Sequence, residues 1–142
     1  MLPMPNPPIQ VYVVDDEPSV CASLSRLLRS AEMRPQTFLS VAVLLEANLS
    51  AHNACIISDV RMPGTSGLDL PALLADAGHH IPVIFVTAHD SPDMQRMAQQ
   101  AGAIACFRKP IDDQVLLDAI VQAVNWASDT PPRTLSPPKE PG

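Results

Sequence analysis

Four short apolar runs and one weaker, more polar one, each halted by a polar residue, alternate along this chain with stripes of apolar residues at helical spacing. The runs lie at 9–14, 34–39, 54–58, 82–87 and 104–108, and the strongest of them, such as Val11 to Val14 and Val83 to Val86, carry no polar residue at every second position. Strands of that kind are covered on both faces, which predicts a parallel sheet with helices on each side. The fold class expected is α/β, a doubly wound five-stranded parallel sheet.

The intervening segments supply the helices. Pro18 suits a first turn, where its missing N–H costs nothing, and Val20, Leu24, Leu27, Leu28 and Ala31 form a core stripe on a helix over 19–32. Ser40 is an N-cap for a second helix with Val41, Leu44, Leu45 and Leu49 inward. A third helix runs to about Ala77, where Gly78 stops it, and Pro71 disturbs its first turn. Ser91 and Pro92 open a fourth, with Met94, Met97, Ala98 and Ala101 as core and Gly102 as its end. Asp112 or Asp113 begins a fifth, with Val115, Leu116, Ala119, Ile120, Ala123 and Val124 inward.

At 142 residues the chain is about one domain, and with aromatics at only 4% its core has to be aliphatic. Nine of the sixteen prolines fall in 1–8 and 131–142. Residues 1–8 therefore read as a Pro-rich tail and 128–142 as a Pro-rich linker or tail, leaving a body over 9–127. The net charge is −6 and the 9 basic residues are scattered, which argues against nucleic-acid binding by this body. The three cysteines, Cys21, Cys55 and Cys106, have no CxxC spacing, so neither a disulfide framework nor a zinc site is indicated. Cys55 and Cys106 sit in apolar runs and read as buried thiols of a reducing compartment. No run approaches the roughly 18 apolar residues of a membrane span, and the start does not resemble a signal peptide; a cytoplasmic protein without membrane contact is expected.

In open parallel sheets ligands bind at the carboxyl ends of the strands. The residues that follow the apolar runs are Asp15 and Asp16, Asp59, Thr87, and Lys109. Three carboxylates gathered at one rim repel unless a cation joins them, and an oxygen-only set is what Mg²⁺ prefers. Lys109 is the sole lysine between 9 and 127. On charge alone it could be a structural salt bridge. Together with a hydroxyl and a divalent cation it makes an anion site suited to phosphoryl chemistry.

Asp15-Asp16 after the first run, Asp59 within DVRMPGTSG, Thr87-Ala88, and Lys109-Pro110 after AGA closely resemble the receiver domain of two-component response regulators, in a wording similar to the FixJ-type subgroup. The resemblance covers 9–127. It implies a flavodoxin-like (βα)5 fold with strand order 2-1-3-4-5, and Asp59 as the acceptor of a phosphoryl group from a sensor histidine kinase. It further implies Mg²⁺ held by Asp16, Asp59 and the backbone carbonyl of Arg61, with Asp15 acting through water. Phosphoryl contacts would come from Thr87, the Ala88 backbone and Lys109, and Lys109 would pair with Asp59 beforehand. By the same resemblance Arg61 and His89 would occupy positions that in the family influence phosphoryl lifetime. Chemistry beyond self-phosphorylation and autodephosphorylation is not expected.

One position departs from the family pattern. Cys106 stands three residues before the lysine, where Tyr or Phe is usual and takes part in the switch, and Phe107 is one place along, hence on the opposite face. Leu117 and Val121 lie off the core stripe of the fifth helix and suggest an exposed apolar patch. In the family the surface of the fourth helix, fifth strand and fifth helix often forms a phosphorylation-dependent homodimer. The tail resembles an interdomain linker to a DNA-binding effector; a single-domain receiver acting through protein contacts is the alternative. A Mg²⁺-dependent aspartyl phosphohydrolase is a third reading, opposed by the absence of a DxDx(T/V) pattern at Asp15-Asp16-Glu17-Pro18.

Overall fold

The computed structural model describes residues 8–62, 66–88 and 91–129. The expectations placed on Pro63, Gly64 and His89, and those on residues 1–7 and 130–142, lie outside the described residues. The elements follow in the order β1 (Gln10–Val14), α1 (Pro18–Ser30), β2 (Arg34–Phe38), α2 (Val41–Glu46), β3 (Ala54–Asp59), a 3-10 turn (Gly67–Asp69), α3 (Leu70–Asp76), β4 (Val83–Thr87), α4 (Pro92–Ala101), β5 (Ala105–Arg108) and α5 (Asp113–Asp129). The strands form one parallel sheet ordered β2-β1-β3-β4-β5. The chain's direction across the sheet reverses between β1 and β3, and a crevice opens at their carboxyl ends for that reason.

Side chains alternate across the sheet, and the two faces make two cores. One packs Tyr12, Val14, Ile56, Val83 and Phe85 under Val41 and Leu44 of α2, Leu70 and Leu74 of α3, and Met94 and Ala98 of α4. The other packs Val11, Val13, Cys55, Ile57, Ile84 and Val86 under Cys21 and Leu28 of α1 and Leu116, Ile120, Ala123 and Val124 of α5. Each fully buried aliphatic side chain contributes about 1.5–3 kcal/mol relative to exposure, so these two layers drive folding with few aromatic rings.

The helix ends follow their sequence signals. Ser40 Oγ accepts from the Val43 N–H at 3.1 Å and Ser91 Oγ from the Met94 N–H at 3.0 Å. Asp112 caps α5, its carboxylate accepting from the Gln114 and Val115 N–H groups at 3.0 and 3.1 Å, and Asp113 is the first helical residue. Gly78 and Gly102 take left-handed φ values of 84° and 103° just past α3 and α4. Pro71 sits in the first turn of α3, directly after the 3-10 turn, which is the irregular entry it predicts.

Several expected details are corrected. Helix α1 ends at Ser30 because Glu32 adopts a left-handed φ of 63°, so Ala31 is outside it. Helix α2 stops at Glu46, and Leu49 packs on the core from the following loop. Met97 and Val115, expected inward, are 44% and 45% exposed. Met97 lies at the edge of the stripe through Met94, Ala98 and Ala101, and Val115 is a full 100° step from Leu116. Cys106 is half-buried rather than buried. Leu117 packs partly against the second core, whereas Val121 is exposed as expected. Helix α5 continues to Asp129, two residues past the expected end of the body.

Candidate functional site

The parity of each strand decides which rim residues can meet. Asp59 follows Ile57 and Ser58 in β3, so it shares the α1/α5 face with Ile57; Lys109, two residues after Phe107, and Asp15, two after Val13, fall on the same face. The structure joins them. Lys109 Nζ donates to Asp15 Oδ2 at 3.0 Å and, at longer range, to Asp59 Oδ2 at 3.4 Å. Carboxylate oxygens of Asp15, Asp16 and Asp59 lie within 4.8 Å of one another. Asp15, Asp59 and Lys109 line a cleft between α1 and α5 whose floor is aliphatic, with Val13, Ile57, Val86 and Leu116.

The carboxylates are not equivalent. Asp15 is 2% exposed and each of its polar atoms has a partner. Its N–H donates to the Phe38 carbonyl at 3.0 Å, its carbonyl accepts from the Cys21 thiol at 3.3 Å, Oδ1 accepts from the Glu17 N–H at 2.9 Å, and Oδ2 takes Lys109. Asp59 is held more loosely, with the Arg61 N–H donating to Oδ1 at 3.4 Å. Lys109 was expected to pair with Asp59; it pairs with both, and the shorter bond goes to Asp15.

Charge follows geometry. Burial alone would lower the Lys109 ammonium, but its hydrogen bond to Asp15 and the charges of Asp59 and Asp15 outweigh that and raise it above its ordinary value. Burial, and then the Asp15 charge, raise the Cys21 thiol. Burial pushes the Cys55 thiol up to about 12, so it is an inert core group.

Thr87 is fully buried at the end of β4. By alternation it shares the parity of Phe85, whose ring packs in the α2/α3/α4 core. A short backbone bond ties it to the lysine, the Lys109 N–H donating to the Thr87 carbonyl at 2.7 Å. Ala88 is exposed and borders a second cleft with Arg61, Ser91 and Arg108. Cys106 packs against the α2/α3/α4 core and Phe107 against the α1/α5 core, the opposite-face relation expected.

Three contributors escape sequence reading. Cys21 is buried at the start of α1, and the spacing Cys21, Leu24, Leu28 would have revealed it as part of the core stripe. Ser58 Oγ donates to the Asp59 carbonyl at 2.9 Å. Gly67 packs so tightly on β3 that a Cβ there would stand 2.2 Å from the Asp59 carbonyl oxygen. Nothing in the local sequence signals these last two. Among the described residues no helix is long and apolar enough to cross a membrane.

Comparison with known proteins gives concordant findings. The family model described as response regulator receiver domain matches residues 11–121. Nodulation protein W of Bradyrhizobium diazoefficiens is 41% identical over 113 residues, covering 80% of this chain and 50% of that protein. Transcriptional regulatory protein TdiR of Thauera aromatica is 40% identical over 114 residues, with 80% and 50% covered. The crystal structure titled FixJ-N superposes with a TM-score of 0.75 at 32% identity, covering 82% of this chain and 94% of that one. The chain spans about half the length of these two curated relatives.

Proposed function

The chain belongs to the response regulator receiver family, in its FixJ-type branch, and from that premise we propose that it is a phosphorylation-activated switch whose acceptor is Asp59 and whose donor is a partner histidine kinase. The observation that carries this reading is the convergence of Asp15, Asp16, Asp59 and Lys109, from three strand ends, on one side of the sheet.

The residues then have definite tasks. An Asp59 carboxylate oxygen attacks phosphorus, the P–N bond to the donor imidazole breaks, and the imidazole leaves with that electron pair and takes up a proton. Asp59 carries an acyl phosphate until water attacks phosphorus and restores the carboxylate. Lys109, already fixed by Asp15, needs only a small movement to reach a phosphoryl oxygen. Thr87 is the second phosphoryl contact, with the Ala88 N–H beside it. Three carboxylates within 4.8 Å fit a hard divalent cation. Asp16, Asp59 and the Arg61 carbonyl would hold Mg²⁺ directly and Asp15 through water. When bound, that ion supplies charge neutralisation for the incoming phosphoryl oxygens. Arg61 and His89 tune the lifetime of the acyl phosphate. The chemistry is one phosphoryl per chain, not catalytic turnover.

Output is proposed to pass to a transcriptional effector, since longer relatives, of which the match covers about half, are named transcriptional regulatory proteins, in the cytoplasm where a kinase partner and DNA are both reached. Phosphorylation is expected to pair two copies through α4, β5 and α5, where Met97, Val115 and Val121 are exposed. An unchanged monomer in a concentration series with a phosphoryl mimic would count against that pairing. The central test is incubation with acetyl phosphate and Mg²⁺ followed by intact mass. Wild type should gain one phosphoryl group and Asp59→Asn none; an equal adduct on both would sink the assignment.

A further inference from the structure

We infer that Cys21 is a positioning residue for the acidic end of the site, its thiol fixing the peptide that joins Asp15 to Asp16. This rests on the metal reading above and deepens it. The Asp15 carbonyl belongs to the same rigid peptide plane as the Asp16 nitrogen and Cα, so whatever holds that carbonyl fixes the point from which the Asp16 side chain departs and leaves the Asp16 N–Cα torsion as the remaining backbone freedom. Cys21 Sγ lies 3.3 Å from that oxygen and is the donor found for it among the described residues. The thiol is itself immobile. Cys21 is 5% exposed, packs in the α1/α5 core, and its N–H is tied to the Glu17 carbonyl at 3.1 Å in the first turn of α1.

The arrangement has a logic that the carboxylates alone lack. Asp15 is braced on every polar atom, by Phe38, Glu17, Lys109 and Cys21, so it is an anchor. Asp16 is only partly buried, and no hydrogen bond from a described residue holds its carboxylate. Its placement beside Asp59 is inherited from the peptide before it. Cys21 thus acts through Asp15 on Asp16 and touches neither phosphorus nor metal.

The test compares wild type, Cys21→Ala and Cys21→Ser as intact chains, with Mg²⁺ as the probe, by titration calorimetry without phosphodonor, and then by phosphorylation rate against Mg²⁺ concentration. Ala removes the donor and should weaken Mg²⁺ binding about three- to fivefold, in keeping with loss of one modest hydrogen bond. Ser restores a hydroxyl donor and should bind within about twofold of wild type. The phosphorylation defect of Cys21→Ala should appear as a higher Mg²⁺ requirement and vanish at saturating Mg²⁺. Equal Mg²⁺ affinity in wild type and Cys21→Ala, a Ser variant as weak as Ala, or a defect that persists at saturation would overturn the positioning role while leaving the metal site standing. Absence of Mg²⁺ binding by wild type would instead overturn the metal reading, and this inference with it.

Discussion

Replacing Gly67 with alanine should damage the phosphoryl acceptance proposed for Asp59 more than the fold. The new Cβ would stand 2.2 Å from the Asp59 carbonyl oxygen, 3.1 Å from the Val60 Cα and 3.2 Å from the Asp59 carbonyl carbon. All three are backbone atoms of the turn that presents Asp59, so no side chain can swing aside. Ordinary van der Waals contact begins near 3.4 Å, and the Asp59–Val60 peptide has to retreat by roughly 1.2 Å. Overpacking of this kind costs about 1–3 kcal/mol. A shift approaching 1 Å at a reacting group costs on the order of 10²-fold in rate, and because the carboxylate feels only part of the peptide's movement the expected loss is about tenfold to 10²-fold. Gly78→Ala is the matched control. Gly78 has φ +84° with nothing within 4 Å of a built Cβ, so its cost is torsional, about 1–2 kcal/mol, and remote from the site. Urea denaturation and acetyl phosphate labelling of both variants separate the two effects. Similar stability losses with a labelling defect in Gly67→Ala alone are expected. If Gly67→Ala labels at the wild-type rate, the reasoning from close approach is wrong.

Two other perturbations follow from the site's charges and thiols. Lys109→Gln leaves Asp15 buried without its cation and should cost about 2 kcal/mol in divalent-free buffer, less than a fully buried pair because the Lys109 side chain is 25% exposed. Since Lys109 titrates above its ordinary value of 10.5, the pair's contribution is complete below that value and is lost as pH rises through the raised one. The stability gap between wild type and Lys109→Gln should therefore be flat from about pH 7 to about pH 10 and close only above that, and a gap closing near neutrality would refute the pairing. Among the thiols, half-buried Cys106 should be alkylated first in the native protein, with Cys21 and Cys55 labelled only on unfolding. Peptide mass spectrometry after brief labelling reads the order directly, and early modification of Cys55 would contradict its burial.

The sheet, apart from the polar edge strand β2, and its rim were legible in the sequence because buried parallel strands leave continuous apolar runs and their ends are marked by sharp changes of polarity. Val83 to Val86 followed by Thr87, and Ile56 and Ile57 followed by Asp59, announce themselves in that way. Helical phase is harder to read, since an apolar residue at the margin of a stripe costs little when exposed, and Met97 and Val115 fall there. Long-range partnerships leave no local trace. That Lys109 would bond most closely to Asp15, 94 positions away, depends on how β1 and β5 end in space. Gly67 reads as an ordinary loop glycine until the Asp59 carbonyl is seen beside it.

The division of the rim by strand parity has a further consequence. Asp15, Asp59 and Lys109 stand in the cleft over the core packed by α1 and α5, whereas Cys106 packs against the other, with α2, α3 and α4. Lys109 spans the division, its Nζ bonded to Asp15 and Asp59 over one core while its N–H donates to the carbonyl of Thr87 at the end of β4. A displacement of Lys109 is therefore delivered along β5 to both cores at once, and substitutions of Cys106 and Phe107, neighbours that pack on opposite cores, are the natural pair with which to separate the two.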